Sequence, residues 1–149
     1  MPRFVLLYHE CPPGFERPSH WDLMLQAGDA LRTWALVQLP RGWQAAREQT
    51  AISWPDCPPA ADSNAVEAEQ LDDHRLAYLE YEGPLSGDRG RVTQIDTGTF
   101  TTTDDIGDIG EFRGNWHVEL SGVRLRGPIS LSESSSGHRK WTLACGEGH

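Results

Sequence analysis

A histidine and an aspartate stand two positions apart in the segment RPSHWDLMLQ, residues 17–26. The alternating pattern predicts a β-strand, in which side chains two positions apart point the same way, roughly 7 Å apart. The polar face holds His20, Asp22 and Met24, and the apolar face holds Trp21, Leu23 and Leu25. An imidazole and a carboxylate on neighbouring pleats can converge on one divalent metal ion. The simpler interpretation is a strand whose polar face meets solvent.

Three more residues could contribute to such chemistry. His9 ends the apolar segment RFVLLYH, and His74 and Tyr78 lie close together in LDDHRLAYLEYEG, residues 71–83. Each has an ordinary interpretation, either a strand-end histidine in water or a turn with a solvated histidine and a half-buried tyrosine. As a set they offer the groups that metal binding and proton transfer require.

The elements that must position these residues are mostly short strands separated by turns. The pattern predicts strands at 3–9, 19–26, 31–38, 65–71, 77–82, 90–96, 116–121, 128–132 and 139–144. A hairpin turn is predicted at 26–30, a glycine-rich connection at 85–90 and a short helix at 41–51. The chain is therefore expected to form one all-β domain over residues 1–149, a compact barrel or sandwich with one or two short helices and Trp34 and Trp141 in its core.

Composition restricts the function. The chain has 149 residues, with 13 basic and 22 acidic side chains and a formal net charge of -9. This balance predicts no strong basic surface and counts against tight binding of duplex DNA, which depends on neutralising phosphates. No apolar run approaches the roughly 18 residues of a membrane span, and the N-terminus is expected to be a strand and not a signal peptide. The three cysteines form no CxxC pair, which favours a reducing cytoplasm.

The order of these motifs resembles a known family. His9 is followed by HWDLMLQ at 20–26, LRTWALV at 31–37, DDHRLAY at 72–78 and LSGVRLRGPISL at 120–131. This succession resembles the 3′-phosphoesterase domain of bacterial DNA ligase D and its stand-alone relatives, and it extends over nearly the whole chain.

The resemblance implies a small β-barrel whose cavity holds a divalent metal ion, usually Mn²⁺, with Zn²⁺ or another divalent ion as the alternative. The implied ligands are His9, His20 and Asp22, and the implied catalytic contacts to phosphate are His74 and Tyr78. The implied reaction removes a terminal ribonucleoside or a phosphate from a DNA 3′ end. The implied partners are DNA 3′ ends or another phosphoester, and DNA-repair proteins.

Three positions depart from the family's pattern. Met24 stands where the family has an arginine, Gln26 where it has a glutamate, and Gln38 where it has a lysine. A guanidinium that would bind phosphate is thereby replaced by a thioether. Arg17 or Arg75 could supply the missing positive charge to a substrate.

Several functions remain open at this point. The chain could be a phosphoesterase with an altered substrate, a metal- or ligand-binding barrel without catalysis, or a different hydrolase. A further alternative uses His20, Asp22 and His74 as the facial triad of a non-haem iron oxygenase, but it leaves His9 without a role.

Overall fold

The computed structural model describes residues 1–15, 17–102, 115–134 and 139–146. The strands are β1 (Arg3–Glu10), β2 (His20–Ala27), β3 (Ala30–Leu36), β4 (Ala65–Arg75), β5 (Gly83–Pro84), β6 (Arg91–Thr102), β7 (Asn115–Gly122), β8 (Arg126–Glu133) and β9 (Lys140–Cys145). The helices are α1 (Gln44–Ser53) and 3-10 helices at Arg41–Trp43, Leu76–Leu79 and Ser86–Asp88. None of the helices in these ranges has both the length and the apolar character that a membrane span requires.

The strands close into an antiparallel barrel. Eight of them pair in the order β1-β2-β3-β4-β9-β8-β7-β6, and β6 pairs again with β1 to complete the ring. The two-residue strand β5 pairs with β6 outside the ring. The predicted all-β barrel with short helices is confirmed.

The barrel interior is filled by large apolar side chains, as expected for eight strands. These residues, here called the main core, include Phe4, Leu6, Tyr8, Trp21, Leu23, Leu25, Trp34, Leu36, Trp116 and Trp141. The ring of Trp34 lies 5.4 Å from that of Trp116 and 5.5 Å from that of Trp141, both edge to face. The predicted core positions of Trp34 and Trp141 are therefore confirmed.

The predicted helix packs against this core. It begins as the 3-10 turn Arg41–Trp43 and continues as α1 to Ser53, two residues beyond the predicted end. Trp43 and Ala46 join the main core, and the Trp21 indole N–H donates to the Thr50 hydroxyl over 2.9 Å. This hydrogen bond satisfies a buried indole that would otherwise lack a partner.

A second apolar cluster lies on the outer face of the barrel. This outer cluster consists of Val5, Leu7, Met24, Leu31, Leu79 and Val92. The 3-10 helix Leu76–Leu79 covers it, and the carbonyl of Leu79 accepts a hydrogen bond from the Gln94 amide over 3.0 Å.

The strand predicted at 77–82 is wrong, because this segment forms the 3-10 helix and the turn after it. Leu76 and Leu79 are three positions apart, which places both on one side of a 3-10 turn. That spacing lets the segment pack on the outer cluster, whereas a strand would have pointed the two side chains to opposite faces.

Candidate metal centre and adjoining groove

Strands β1 and β2 bring three predicted ligands together. His9 stands directly opposite His20, and Leu7 opposite Asp22, so that two imidazoles and one carboxylate meet on one face. The rings of His9 and His20 are 4.9 Å apart between centroids. Asp22 Oδ1 lies 3.1 Å from His20 Nε2, and Asp22 Oδ2 lies 3.8 Å from His9 Nδ1.

Hydrogen bonds to the backbone fix which ring nitrogens face Asp22. His9 Nε2 lies 2.7 Å from the carbonyl oxygen of Arg89, and His20 Nδ1 lies 2.8 Å from that of Pro18. A carbonyl oxygen only accepts, so each of these nitrogens carries the proton. In the neutral rings, His9 Nδ1 and His20 Nε2 therefore direct lone pairs toward Asp22. Metal-binding histidines are oriented by outer hydrogen bonds of the same kind.

The Asp22 carboxylate is buried without adequate compensation. The residue is 3 % exposed, and Oδ1 receives no hydrogen bond from the part of the chain that the structure describes. The short distance from Oδ1 to His20 Nε2 brings two electron-rich atoms together unless a proton or a cation lies between them. Two lone pairs and a carboxylate form the donor set of a divalent metal ion, so these residues fit the implied cofactor.

The pKa values of the two histidines are shifted in opposite directions. Burial is the strongest influence on His9 and lowers its pKa. Burial also lowers the pKa of His20, but contact with Asp22 and its negative charge outweigh burial and leave that pKa raised. The negative charge of Asp22 thus favours a positive charge beside it.

The loop before β6 depends on a glycine to reach His9. Gly90 has a φ of +93°, and a Cβ there would lie 1.8 Å from the carbonyl oxygen of Glu10. Only glycine permits this approach, which places the neighbouring Arg89 carbonyl against His9.

The implied location of the site needs correction. The resemblance predicts a metal inside the barrel cavity, whereas His9, His20 and Asp22 lie on the outer face. Tyr8 and Trp21 occupy the opposite face of the same strands, within the main core. The inner face of these two strands is filled with apolar side chains, so the polar ligands lie on the outer face.

His74 and Tyr78 form a separate pair on the same outer face. Their rings are 5.4 Å apart, edge to face, and His74 Nδ1 donates to the carbonyl of Asp72 over 2.9 Å. The remaining His74 nitrogen then carries a lone pair in the neutral ring. Tyr78 packs against the outer cluster, which lies on strands that include β1 and β2.

The register separates His74 from the metal ligands. His74 pairs with Leu31 and Asp22 with Ala35, which are four positions apart on β3. The two backbone positions are therefore about 13 Å apart along the strand, and His74 is not in the cluster of donor atoms that the described residues form around His9 and His20. His20, Asp22 and His74 therefore do not converge as a facial triad.

The three departures from the family's pattern have structural roles. Met24 is 1 % exposed within the outer cluster. Gln26 accepts a hydrogen bond from the Arg3 backbone N–H over 2.9 Å, and Gln38 donates to the carbonyl of Pro59 over 3.0 Å. These side chains stabilise loops and packing and add no charge to the site.

A groove of about 510 Å³ adjoins His20 on the outer face. Two cations, Arg17 and Lys140, and two carboxylates, Glu67 and Glu69, line it. Arg17 is bound to Glu69 by two hydrogen bonds of 2.6 and 3.1 Å.

The two candidate arginines lie at opposite ends of the strands. Arg17 borders the groove beside His20, at the start of β2. Arg75 pairs with Ala30, which in turn stands opposite Ala27 at the far end of β2. The structure thus brings Arg17, and not Arg75, to the candidate metal centre.

Cys11 is a potential ligand that the sequence analysis did not identify. A donor atom from each of His9, Cys11 and His20 can be chosen so that all three lie within 4.8 Å of one another. Burial raises the pKa of this thiol, and the nearby Asp22 charge adds to the effect. The signal was present in the sequence, since His9-x-Cys11 has the same two-residue spacing as His20-x-Asp22.

One family model matches most of the chain. The family model described as the DNA Ligase D 3′-phosphoesterase domain matches residues 15–133. His20, Asp22, His74 and Tyr78 lie inside the matched segment, whereas His9 and Cys11 precede it. A search of curated proteins found no match.

Proposed function

The chain belongs to the family of DNA ligase D 3′-phosphoesterase domains, and from this membership we propose that it is a metal-dependent phosphoesterase acting on DNA 3′ ends. The family supports a phosphoesterase-like role. Removal of a 3′-phosphate or a terminal ribonucleoside, and the need for a metal ion, are the parts that we propose.

The observation that carries the proposal is the buried Asp22 carboxylate between two oriented imidazoles. His9, His20 and Asp22 would hold a divalent ion such as Mn²⁺ on the outer face. When bound, such an ion would polarise the phosphoryl oxygens and increase the acidity of a nearby water molecule. The carbonyls of Arg89 and Pro18 would keep both imidazoles in the required tautomer.

The chain's other residues would position the substrate. The groove beside His20 is open to a strand end, and Lys140 and Arg17 would contact its phosphates. Arg17 would then leave its ion pair with the Glu69 carboxylate and bind a phosphate of the substrate. His74, whose outer nitrogen carries a lone pair, would exchange a proton with a phosphate or leaving group, and Tyr78 would orient it.

A second candidate is a metal-binding barrel without catalysis, and one observation favours it. The position of the family's arginine is filled by Met24 inside the outer cluster, so no guanidinium can reach phosphate from there. Activity on a 3′-phosphate separates the two candidates.

The test uses oligonucleotides that end in a 3′-phosphate or a single 3′-ribonucleotide, incubated with the protein and Mn²⁺. We expect turnover by the wild type, and loss of both turnover and calorimetric Mn²⁺ binding in Asp22→Asn. We expect His74→Ala to lose turnover but keep Mn²⁺ binding. His117→Ala, at an exposed position on β7, is the control and should change neither. Metal binding without turnover on either substrate would instead support the non-catalytic barrel.

Cellular context is also part of the proposal. DNA-repair proteins are the partners that would deliver broken ends, and the cytoplasm is the compartment that the cysteine pattern favours.

A further inference from the structure

We propose that the groove beside His20 recognises only the last one or two nucleotides of a substrate. The protein should therefore prefer a mononucleotide or a very short single strand with a 3′-phosphate to a long strand. This inference rests on the proposed function, because it concerns the substrate of the same site. The charges along β4 and the size of the groove support it.

The positive charges of the groove lie beside a carboxylate. Glu69 accepts two hydrogen bonds from Arg17, at 2.6 and 3.1 Å. Glu69 also stands directly opposite Lys140 in the pairing of β4 with β9, and directly opposite residues on antiparallel strands share a face. Glu67, two positions before Glu69, adds a second carboxylate to the groove. These two carboxylates balance the two cations, so the groove has no excess of positive charge to attract a polyanion.

The charges of β4 beyond the groove are arranged in the same way. Asp72 accepts a hydrogen bond from Arg139 over 2.8 Å, and Asp73 accepts one from Arg32 over 3.3 Å. His74 lies at the far end of β4, so a strand that ran along β4 from the groove toward His74 would pass these carboxylates. Each phosphate would compete with a carboxylate for its arginine, in a protein with a formal net charge of -9. Tight binding of a long strand depends on neutralising many phosphates, which this face does not provide.

The groove is also small. Its volume of about 510 Å³ is within the range of small-molecule pockets, about 300–1,000 Å³. A pocket of this size holds a drug-sized ligand, which corresponds to one or two nucleotides. Arg17 and Lys140 can each contact one phosphate there. Substrate affinity should therefore not increase with the length of the strand.

The test compares thymidine 3′-phosphate with thymidine oligonucleotides of about 2, 5 and 20 nucleotides that carry the same 3′-phosphate, all in the presence of Mn²⁺. Hydrolysis breaks the bond between phosphorus and the 3′ oxygen. Water gives its oxygen to the inorganic phosphate that is measured and a proton to the 3′ oxygen. We expect kcat/KM for the longest strand to be equal to or lower than that for thymidine 3′-phosphate. The logarithm of kcat/KM for the longest strand should fall with the logarithm of the salt concentration at a slope no steeper than about −1.4, the value for two phosphates of a single strand.

Two variants remove one negative charge each at different places. Glu67→Gln, in the groove, should raise the ratio of kcat/KM for the longest strand to that for thymidine 3′-phosphate at least about threefold at low salt, because one repulsive carboxylate is lost. Glu119→Gln, at an exposed position on β7, is the matched control. It should change this ratio less than about 1.5-fold, because charges far from the groove are screened.

Three results would contradict the inference. A kcat/KM that increases with strand length, or a steeper salt slope, would mean that the protein contacts more phosphates than the groove holds, and would leave the proposed function standing. A ratio in Glu67→Gln equal to that of the wild type would likewise overturn the role of the β4 charges alone. Absence of turnover on thymidine 3′-phosphate and on every strand would overturn the proposed function, and this inference with it.

Discussion

Two buried aspartates differ in what surrounds them. Asp96 is 2 % exposed and accepts backbone N–H bonds from Val123, Arg124 and Leu125 at 2.8–3.1 Å. Asp22 is 3 % exposed and faces two imidazoles, and no donor among the described residues is aligned on its Oδ1. The first carboxylate stabilises the turn between β7 and β8. The second is costly for the fold, as residues kept for function often are.

This contrast predicts that the same substitution destabilises the protein at Asp96 and has little effect on its stability at Asp22. In the presence of a chelator, Asp96→Asn should lower the free energy of unfolding by about 2–4 kcal/mol, because charged hydrogen bonds to the turn are lost. Asp22→Asn should change it by less than about 1 kcal/mol and yet abolish metal binding. Urea unfolding followed by tryptophan fluorescence measures both values. Equal losses for the two variants would contradict the distinction.

The pH dependence of the groove follows from Glu69. Its hydrogen bonds to Arg17 are the main reason that its pKa is lowered. A lowered pKa means that the ion pair contributes its stability above the ordinary pKa of glutamate and loses it as the pH falls through the lowered value. Both side chains are more than a third exposed, so the contribution should stay below about 1 kcal/mol.

The corresponding measurement is an NMR titration of the Glu69 carboxyl group. In Arg17→Gln the pKa of Glu69 should rise toward the ordinary value, whereas Arg41→Gln should leave it where it is in the wild type. If the pKa of Glu69 were the same in Arg17→Gln as in the wild type, the ion pair between Arg17 and Glu69 would not be present in solution.

Among the elements, the 3-10 helix Leu76–Leu79 restricts position 24 to apolar side chains. Leu79 and Met24 pack in the outer cluster together with Leu7, and the helix shields them from solvent. Restoring the family's arginine at this position would bury a guanidinium among apolar side chains.

We therefore expect Met24→Arg to destabilise the protein by about 3 kcal/mol or more, because the charge would lack a partner. Met24→Leu conserves volume and should cost less than about 1.5 kcal/mol. Thermal unfolding of the two variants tests this. An arginine variant as stable as the wild type and more active on a 3′-phosphate would mean that the helix moves aside and that the position still serves phosphate.

At the scale of the whole molecule, the periodic patterns were sufficient to predict the barrel. Eight of the nine predicted strands are present, because alternation reports directly which face is buried. The segment at 77–82 was wrong because the three-residue spacing of Leu76 and Leu79 matters only once there is an outer cluster to cover.

The candidate site could be predicted only in part. The pairing of β1 with β2, which follow one another in the chain, places His9 opposite His20. Periodicity alone could not tell which side of the barrel carries these residues. That depends on the interior being filled, with Trp34, Trp116 and Trp141 in mutual contact. Cys11 was missed because the cysteines were considered only as partners in disulfides or CxxC pairs.

The most direct measurement of the central claim is anomalous X-ray diffraction from crystals soaked with Zn²⁺ or Mn²⁺. We expect one strong peak on the outer face of the barrel, within bonding distance of His9 Nδ1, His20 Nε2 and a carboxylate oxygen of Asp22. A peak inside the barrel or at other residues, or no peak with these three side chains unchanged, would contradict it.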